Sequence, residues 1–122
     1  MLQLELYVDG VEEPANLFVE VFGMTVTQSH DGWRTLSHTS NYQIMLFDEA
    51  KHAHEEGHWK FTDGPKGSGI EIILVTDDVA GKHEKISALG YSCTELRSPP
   101  WGGVDFFFTL KEGYVIRVKQ PA

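Results

Sequence analysis

The chain has 122 residues, 41% of them hydrophobic and 23% charged, and its 18 acidic against 10 basic side chains leave a formal net charge of −8. That length reads as a single domain, large enough to bury a hydrophobic core without covalent staples. The single cysteine, Cys93, forms no intrachain disulfide, no apolar run reaches the roughly 18 residues of a membrane span, and the first residues carry no leader pattern; a cytoplasmic protein with no membrane partner is expected. Ten scattered Lys and Arg offer no basic face for phosphates, so no nucleic-acid partner is expected either.

In chain order, Leu4, Leu6 and Val8 alternate with Gln3, Glu5 and Tyr7, the period of a strand with one apolar face. Gly10 breaks it, and Val11, Ala15, Phe18, Val21 and Phe22 then fall at helical spacing, with Pro14 in the first turn and Gly23 as the stop. Three strand-like runs follow, Thr25 to Ser29, Trp33 to His38 and Tyr42 to Phe47, separated by Asp31-Gly32 and Thr39-Ser40-Asn41. A polar connector from about 48 to 69 leads to a second strand, Ile70 to Val75. Asp77 or Asp78 then caps a helix with Val79, Lys82/His83, Ile86 and Leu89 as its stripe and Gly90 as its stop. The last runs are Tyr91 to Leu96, Val104 to Leu110 and Tyr114 to Lys119.

The order repeats. Val8 to Gly23 and Val75 to Gly90 both span 15 residues, related by a shift of 67, and Asn41-Tyr42 maps onto Gly113-Tyr114 with a shift of 72. Two modules result, about 1–50 and about 70–120, each a strand, a helix and three strands, which is an α+β chain built as tandem βαβββ units. Neither module alone is large enough for a good core, so the two need each other.

Tandem βαβββ modules in this length resemble the vicinal oxygen chelate superfamily, which includes glyoxalase I, extradiol dioxygenases, fosfomycin-resistance enzymes and bleomycin-resistance proteins. The supporting stretches are Val75-Thr76-Asp77-Asp78-Val79, Ala88-Leu89-Gly90, Pro100-Trp101-Gly102 and Glu112-Gly113-Tyr114-Val115-Ile116-Arg117. The last is similar to the family's DPxGxxI/L hairpin, with Leu110-Lys111 in place of Asp-Pro. The resemblance implies curved sheets around a concave cavity, helices on the convex side, and a homodimer whose chains share that cavity.

Active relatives hold a divalent metal at four equivalent places, on the first and last strand of each module. Carried over, these fall on Gln3, on Ile70 at a shift of 67, on Arg117, and on Met45 at a shift of 72, or Leu46 if the register slips by one. Only Gln3 among them suits a hard cation, and Arg117 repels one. Glu71 is one residue out of register with Gln3 by that count, which sends it to the opposite face. No metal or other cofactor is therefore expected, with a divalent metal as the minority alternative. His54-Glu55-Glu56-Gly57-His58 matches the HExxH zinc pattern, yet Gly57 weakens a helix, no apolar stripe flanks it and no third ligand follows; with His52 the run reads as a solvated connector.

The metal-free use implied by the resemblance is sequestration of a flat aromatic or cationic small molecule, as in the bleomycin-resistance branch. The alternative is a metal-dependent lyase or dioxygenase. Candidate ligand-binding residues are Glu5, Tyr7, Trp33, His38, Trp59, Trp101, Asp105, Phe106, Phe108 and Arg117. Phe106-Phe107-Phe108 must alternate faces, one being core and the other cavity. Trp101 also fits a cap on the sheet corner, and Trp59 a dimer or loop anchor. Arg117 meets either an anionic group or Glu5; pairing with Glu5 is favoured because an unpaired buried guanidinium is costly. His83, on the helix stripe, reads as a satisfied, partly buried side chain.

Overall fold

The computed structural model describes residues 1–39, 41–52 and 66–122. They fall into two compact units, Met1–Asp63 and Gly64–Ala122, and the α+β architecture read from the sequence is the one observed.

In the first unit β1 (Leu2–Val8) leads into α1 (Glu12–Phe22). The helix begins after Val11 without a side-chain cap, and Glu12 and Glu13 place negative charge at its positive end. It ends at Gly23, whose φ of 67° lets Gly23 N–H reach the Val19 carbonyl (3.2 Å) and Met24 N–H reach that of Phe18 (3.1 Å). The chain then meanders through β2 (Thr25–His30), β3 (Trp33–His38) and β4 (Tyr42–Asp48), followed by the short α2 (Glu49–His52). The strand order is β1-β4-β3-β2, with β1 parallel to β4 and the other pairs antiparallel.

Alternation along these strands sorts the sheet's two faces. Leu6, Val8, Leu36, Ile44 and Leu46 are buried together with Ala15, Leu17, Phe18 and Val21 of α1. Arg34, in phase with Leu36, reaches across to Glu12 in an ion pair, which marks this as the helix side. The opposite phase carries Gln3, Glu5, Tyr7, Trp33, Thr35, Ser37, Gln43, Met45 and Phe47.

The second unit repeats the plan with β5 (Glu71–Val75), α3 (Val79–Ala88), β6 (Val104–Thr109) and β7 (Val115–Gln120), in the order β5-β7-β6. Of the two candidate caps, Asp78 takes the position: its carboxylate accepts from Gly81 N–H at 3.0 Å, and Gln120 Oε1 accepts from Val79 N–H at 3.0 Å. Ile72, Leu74, Ile86, Phe106, Phe108, Ile116 and Val118 form the core on the α3 side. His83 is satisfied there, Nε2 donating to the Thr94 carbonyl (2.9 Å) while its ring meets the edge of Phe106 at 4.8 Å.

The strand expected over Tyr91 to Leu96 does not form. Thr94 N–H donates to the Phe107 carbonyl (2.9 Å), but Phe107 N–H turns to the Thr94 hydroxyl (2.9 Å) instead of a backbone carbonyl. The next contact is the isolated bridge between Arg97 and Asp105, so three residue steps on one side answer two on the other. The extra residue breaks the ladder as a bulge does, and Pro99 and Pro100 beyond it supply no N–H to resume pairing. β2 has a register shift between Val26 and Gln28, at the repeat-equivalent place, and there the ladder survives it.

Candidate functional site

The face of the first sheet opposite α1 is ordered in rows. Parallel pairing of β1 with β4 puts Tyr7 beside Phe47, and antiparallel pairing continues the row through Trp33 to His30. The rings follow the backbone register: Tyr7 and Phe47 stack at 5.7 Å between centroids, Phe47 and Trp33 at 5.4 Å with planes 15° apart, and Trp33 and His30 lie 4.8 Å apart. Tyr7 and Phe47 are buried, with Trp33 and Met45 half-buried against them and His30 exposed. The Trp33 end of the row is therefore its accessible part. Trp33 Nε1 is itself buried and makes no hydrogen bond.

The next row is Glu5, Met45, Thr35 and Gln28, and the one after it begins Gln3, Gln43, Ser37. Their polar groups interlock, Gln3 Nε2 donating to Gln43 Oε1 (2.7 Å), Gln43 Nε2 to Ser37 Oγ (3.0 Å) and Thr35 Oγ1 to Gln28 Oε1 (3.3 Å). Glu5 accepts the Tyr7 phenol at 2.8 Å and stays exposed. One sheet face thus grades from apolar rings to a carboxylate to amides, a surface that can take a flat apolar body with a polar or cationic substituent.

In the second unit the face opposite α3 carries Glu71, Ile73, Val75, Phe107, Arg117, Asp105 and Lys119. Asp105 is buried at 2% exposure and holds Arg97 by both oxygens, at 2.5 and 3.1 Å. That bond keeps the Arg97 guanidinium above its ordinary range. Arg117 is ion-paired to Glu71, with Nη1 3.9 Å from Asp105. Both guanidinium groups lie 4.9 Å from the centre of the Phe107 ring, and Arg97 reaches Trp101 at 5.9 Å. Trp101 is 70% exposed. Beside Glu71, a groove of about 480 Å³ is lined by Lys66, Gly67, Ser68, Gly69, Ile70, Gly113 and Val115.

Several sequence expectations change. Glu5, Tyr7 and Trp33 come together on one face, but His38 belongs to the opposite phase and stacks on Tyr42 at 5.0 Å. Trp101, Asp105 and Arg117 share the face of the second sheet that bears Phe107. Phe106 and Phe108, expected to line the ligand surface, are buried at 0% and 2% exposure in the α3-side core, because strand alternation gives the other face to Phe107. Arg117 pairs with Glu71 instead of Glu5. Trp59 lies outside the described residues, as do His54 and His58. Phe47, His30 and Arg97, which the sequence did not single out, lie on these two faces; the phase of Ile44 and Leu46 in β4 points to Phe47.

The metal positions also shift. Glu71 pairs with Val115 as Gln3 pairs with Gln43, and Val115 is the repeat partner of Gln43 at a shift of 72, so Glu71 and not Ile70 answers to Gln3. The first strands repeat at 68, one more than the helix stops, because the second unit has one residue fewer between strand and helix stop. The four positions are then Gln3, Met45, Glu71 and Arg117: an amide, a thioether, a carboxylate already paired to a guanidinium, and that guanidinium. This donor set does not fit a divalent cation. Among the described residues no three His, Cys, Asp or Glu side chains gather into a potential metal site.

The sequence profile of the Glyoxalase/Bleomycin resistance protein/Dioxygenase superfamily matches residues 1–118, and no curated protein matches the chain. Among solved structures, a glyoxalase-related enzyme from Fulvimarina pelagi superposes with a TM-score of 0.80 at 15% identity, over 98% of this chain and 86% of that one. Lactoylglutathione lyase from Agrobacterium tumefaciens gives 0.74 at 15% identity, over 98% and 92%. TnmS3, an antibiotic-binding protein from Streptomyces sp. CB03234, gives 0.70 at 22% identity, over 100% and 95%. At these identities the likeness is one of fold. With the profile matching residues 1–118 and so reaching into both units, the chain belongs to the glyoxalase/bleomycin resistance protein/dioxygenase superfamily.

Proposed function

We propose that this chain is a metal-independent small-molecule-binding protein that sequesters an aromatic or cationic drug or metabolite, acting in the cytoplasm as a homodimer whose chains share the binding groove. The observation that carries this reading is the ring row of Tyr7, Phe47, Trp33 and His30, ending in a half-buried indole, with the exposed Glu5 carboxylate on the same face. A planar ligand extends such a row at about 0.5–1.5 kcal/mol per ring contact beyond its buried area, and Glu5 gives a cationic substituent its partner. The pairing of Glu71 with Arg117 supports independence from metal, since it removes the carboxylate a metal would need. The antibiotic-binding fold relative supports the ligand class.

Tryptophan-fluorescence titration of the Trp59→Phe/Trp101→Phe variant, in which Trp33 is the remaining indole, tests this with a panel of planar aromatic compounds, cationic and neutral. Saturable quenching that persists in excess chelator is expected, with weaker binding of the cations after Glu5→Gln. Silence across the panel, or quenching that requires a stoichiometric divalent metal, refutes the reading; the second result returns the chain to the lyase or dioxygenase alternative.

A further inference from the structure

We infer that Arg117 is an anchoring group on the second sheet, taking two adjacent acceptor oxygens of a bound molecule, as in a carboxylate, on the Nη1/Nη2 end of its guanidinium. This deepens the small-molecule-binding reading and rests on it.

An arginine carries five N–H donors, and each one buried without an acceptor costs free energy even when the charge is paired. Arg117 has its charge paired: Nε faces Glu71, and Asp105 stands 3.9 Å from Nη1. Its hydrogen bonds are another matter. Nε is buried without a bond of acceptable geometry, and Asp105 is beyond hydrogen-bond reach of Nη1.

Arg97, on the same face, makes the contrast. Its fork is spent on Asp105, through Nε at 2.5 Å and Nη2 at 3.1 Å. Asp105, so engaged, is held away from Arg117. The Arg117 side chain keeps 20% of its surface accessible while its guanidinium lies 4.9 Å over Phe107. A planar fork is thus pinned by a ring beneath and a carboxylate at one edge, and its far end is offered outward. Two oxygens on one ligand carbon match the spacing of that end, whereas a single oxygen meets half of it.

The test follows the arginine Nε–H resonances of the uniformly ¹⁵N-labelled chain during titration with sodium benzoate, and with benzamide at matched ionic strength. Arg117 is assigned by contact with the Phe107 ring and by loss of its signal in Arg117→Lys. A saturable shift of that resonance with benzoate, at least about threefold tighter than any response to benzamide, is expected. Glu71→Gln, which removes the competing carboxylate, is expected to tighten benzoate binding, a gain that a purely structural Arg117 does not produce and a misfolded variant does not show. Arg97→Lys is expected to leave the response in place. No shift with benzoate, an equal response to benzamide, or weaker binding in Glu71→Gln overturns the proposal. Benzoate binding at Arg117 with no aromatic compound quenching Trp33 defeats the functional reading of the first sheet alone; quenching at Trp33 with a silent Arg117 defeats this inference alone.

Discussion

Phe47 lies between Tyr7 and Trp33 in the row, and replacing it with leucine keeps an apolar side chain while removing its stacks on those two rings. Each stack contributes about 0.5–1.5 kcal/mol beyond area burial, and because Phe47 is buried the Tyr7 contact, at 5.7 Å, counts nearly in full. Trp33 is half-buried, so its contact at 5.4 Å is placed in the lower half of that range. With roughly 1 kcal/mol for the volume lost, Phe47→Leu is expected to cost about 2–3.5 kcal/mol in all. Urea unfolding followed by circular dichroism measures it. Phe22→Leu serves as the reference: its ring contact among the described residues, to Phe18 at 6.3 Å and tilted by 42°, is the weaker geometry, and the substitution should cost less. A cycle with Tyr7→Leu isolates the stack itself, with a coupling of about 0.5–1.5 kcal/mol expected. A coupling within about 0.3 kcal/mol of zero means that the rings are neighbours by register only, and the row is then no preorganised platform for a ligand.

Gly103 has a φ of +77°, and a Cβ there would stand 2.5 Å from the Gln120 carbonyl oxygen, so Gly103→Ala is expected to lower the urea midpoint far more than Gly10→Ala, where φ is +85° but the space is open. The second change should cost only the left-handed strain, about 1–2 kcal/mol. Asp78→Ala removes the cap of α3 and should cost about 1 kcal/mol by the same assay, with Asp78→Asn close to wild type. Burial holds the Tyr42 phenol above its ordinary 10.0, and the bond to Asp31 holds the Lys51 ammonium above 10.5. For both groups the folded pKa exceeds the unfolded one, so their contribution is intact below pH 10 and falls as pH rises through the folded values. Urea midpoints measured upward from about pH 9 should therefore decline, and Tyr42→Phe should make the decline shallower.

Much of this was legible in the sequence because it is local. The alternation of Leu4, Leu6 and Val8, the 3/4 spacing of Ala15, Phe18 and Val21, and the stops at Gly23 and Gly90 reflect backbone periods and steric limits that act over a few residues. Trp33, which opens a strand after a turn, and Glu5, in register with Gln3 on the first strand, were legible as candidates from their places in the chain. Phe107 escaped because three successive phenylalanines carry no phase of their own, and β7 and α3 decide which of them enters the core.

By itself the sequence determined the tandem order of strand and helix, the α+β class, the glycine stops of both long helices and the unsuitability of Arg117 as a metal ligand. The tertiary structure decided what each of those residues meets. Parallel pairing of β1 with β4 aligned Tyr7 with Phe47, 40 residues apart, and so created a ring row that no local spacing announces. A strand offset of 68 instead of 67 brought Glu71, not Ile70, beside Arg117. One residue of register reverses every side chain in a strand, and register is fixed by the partner strand and the core beneath it.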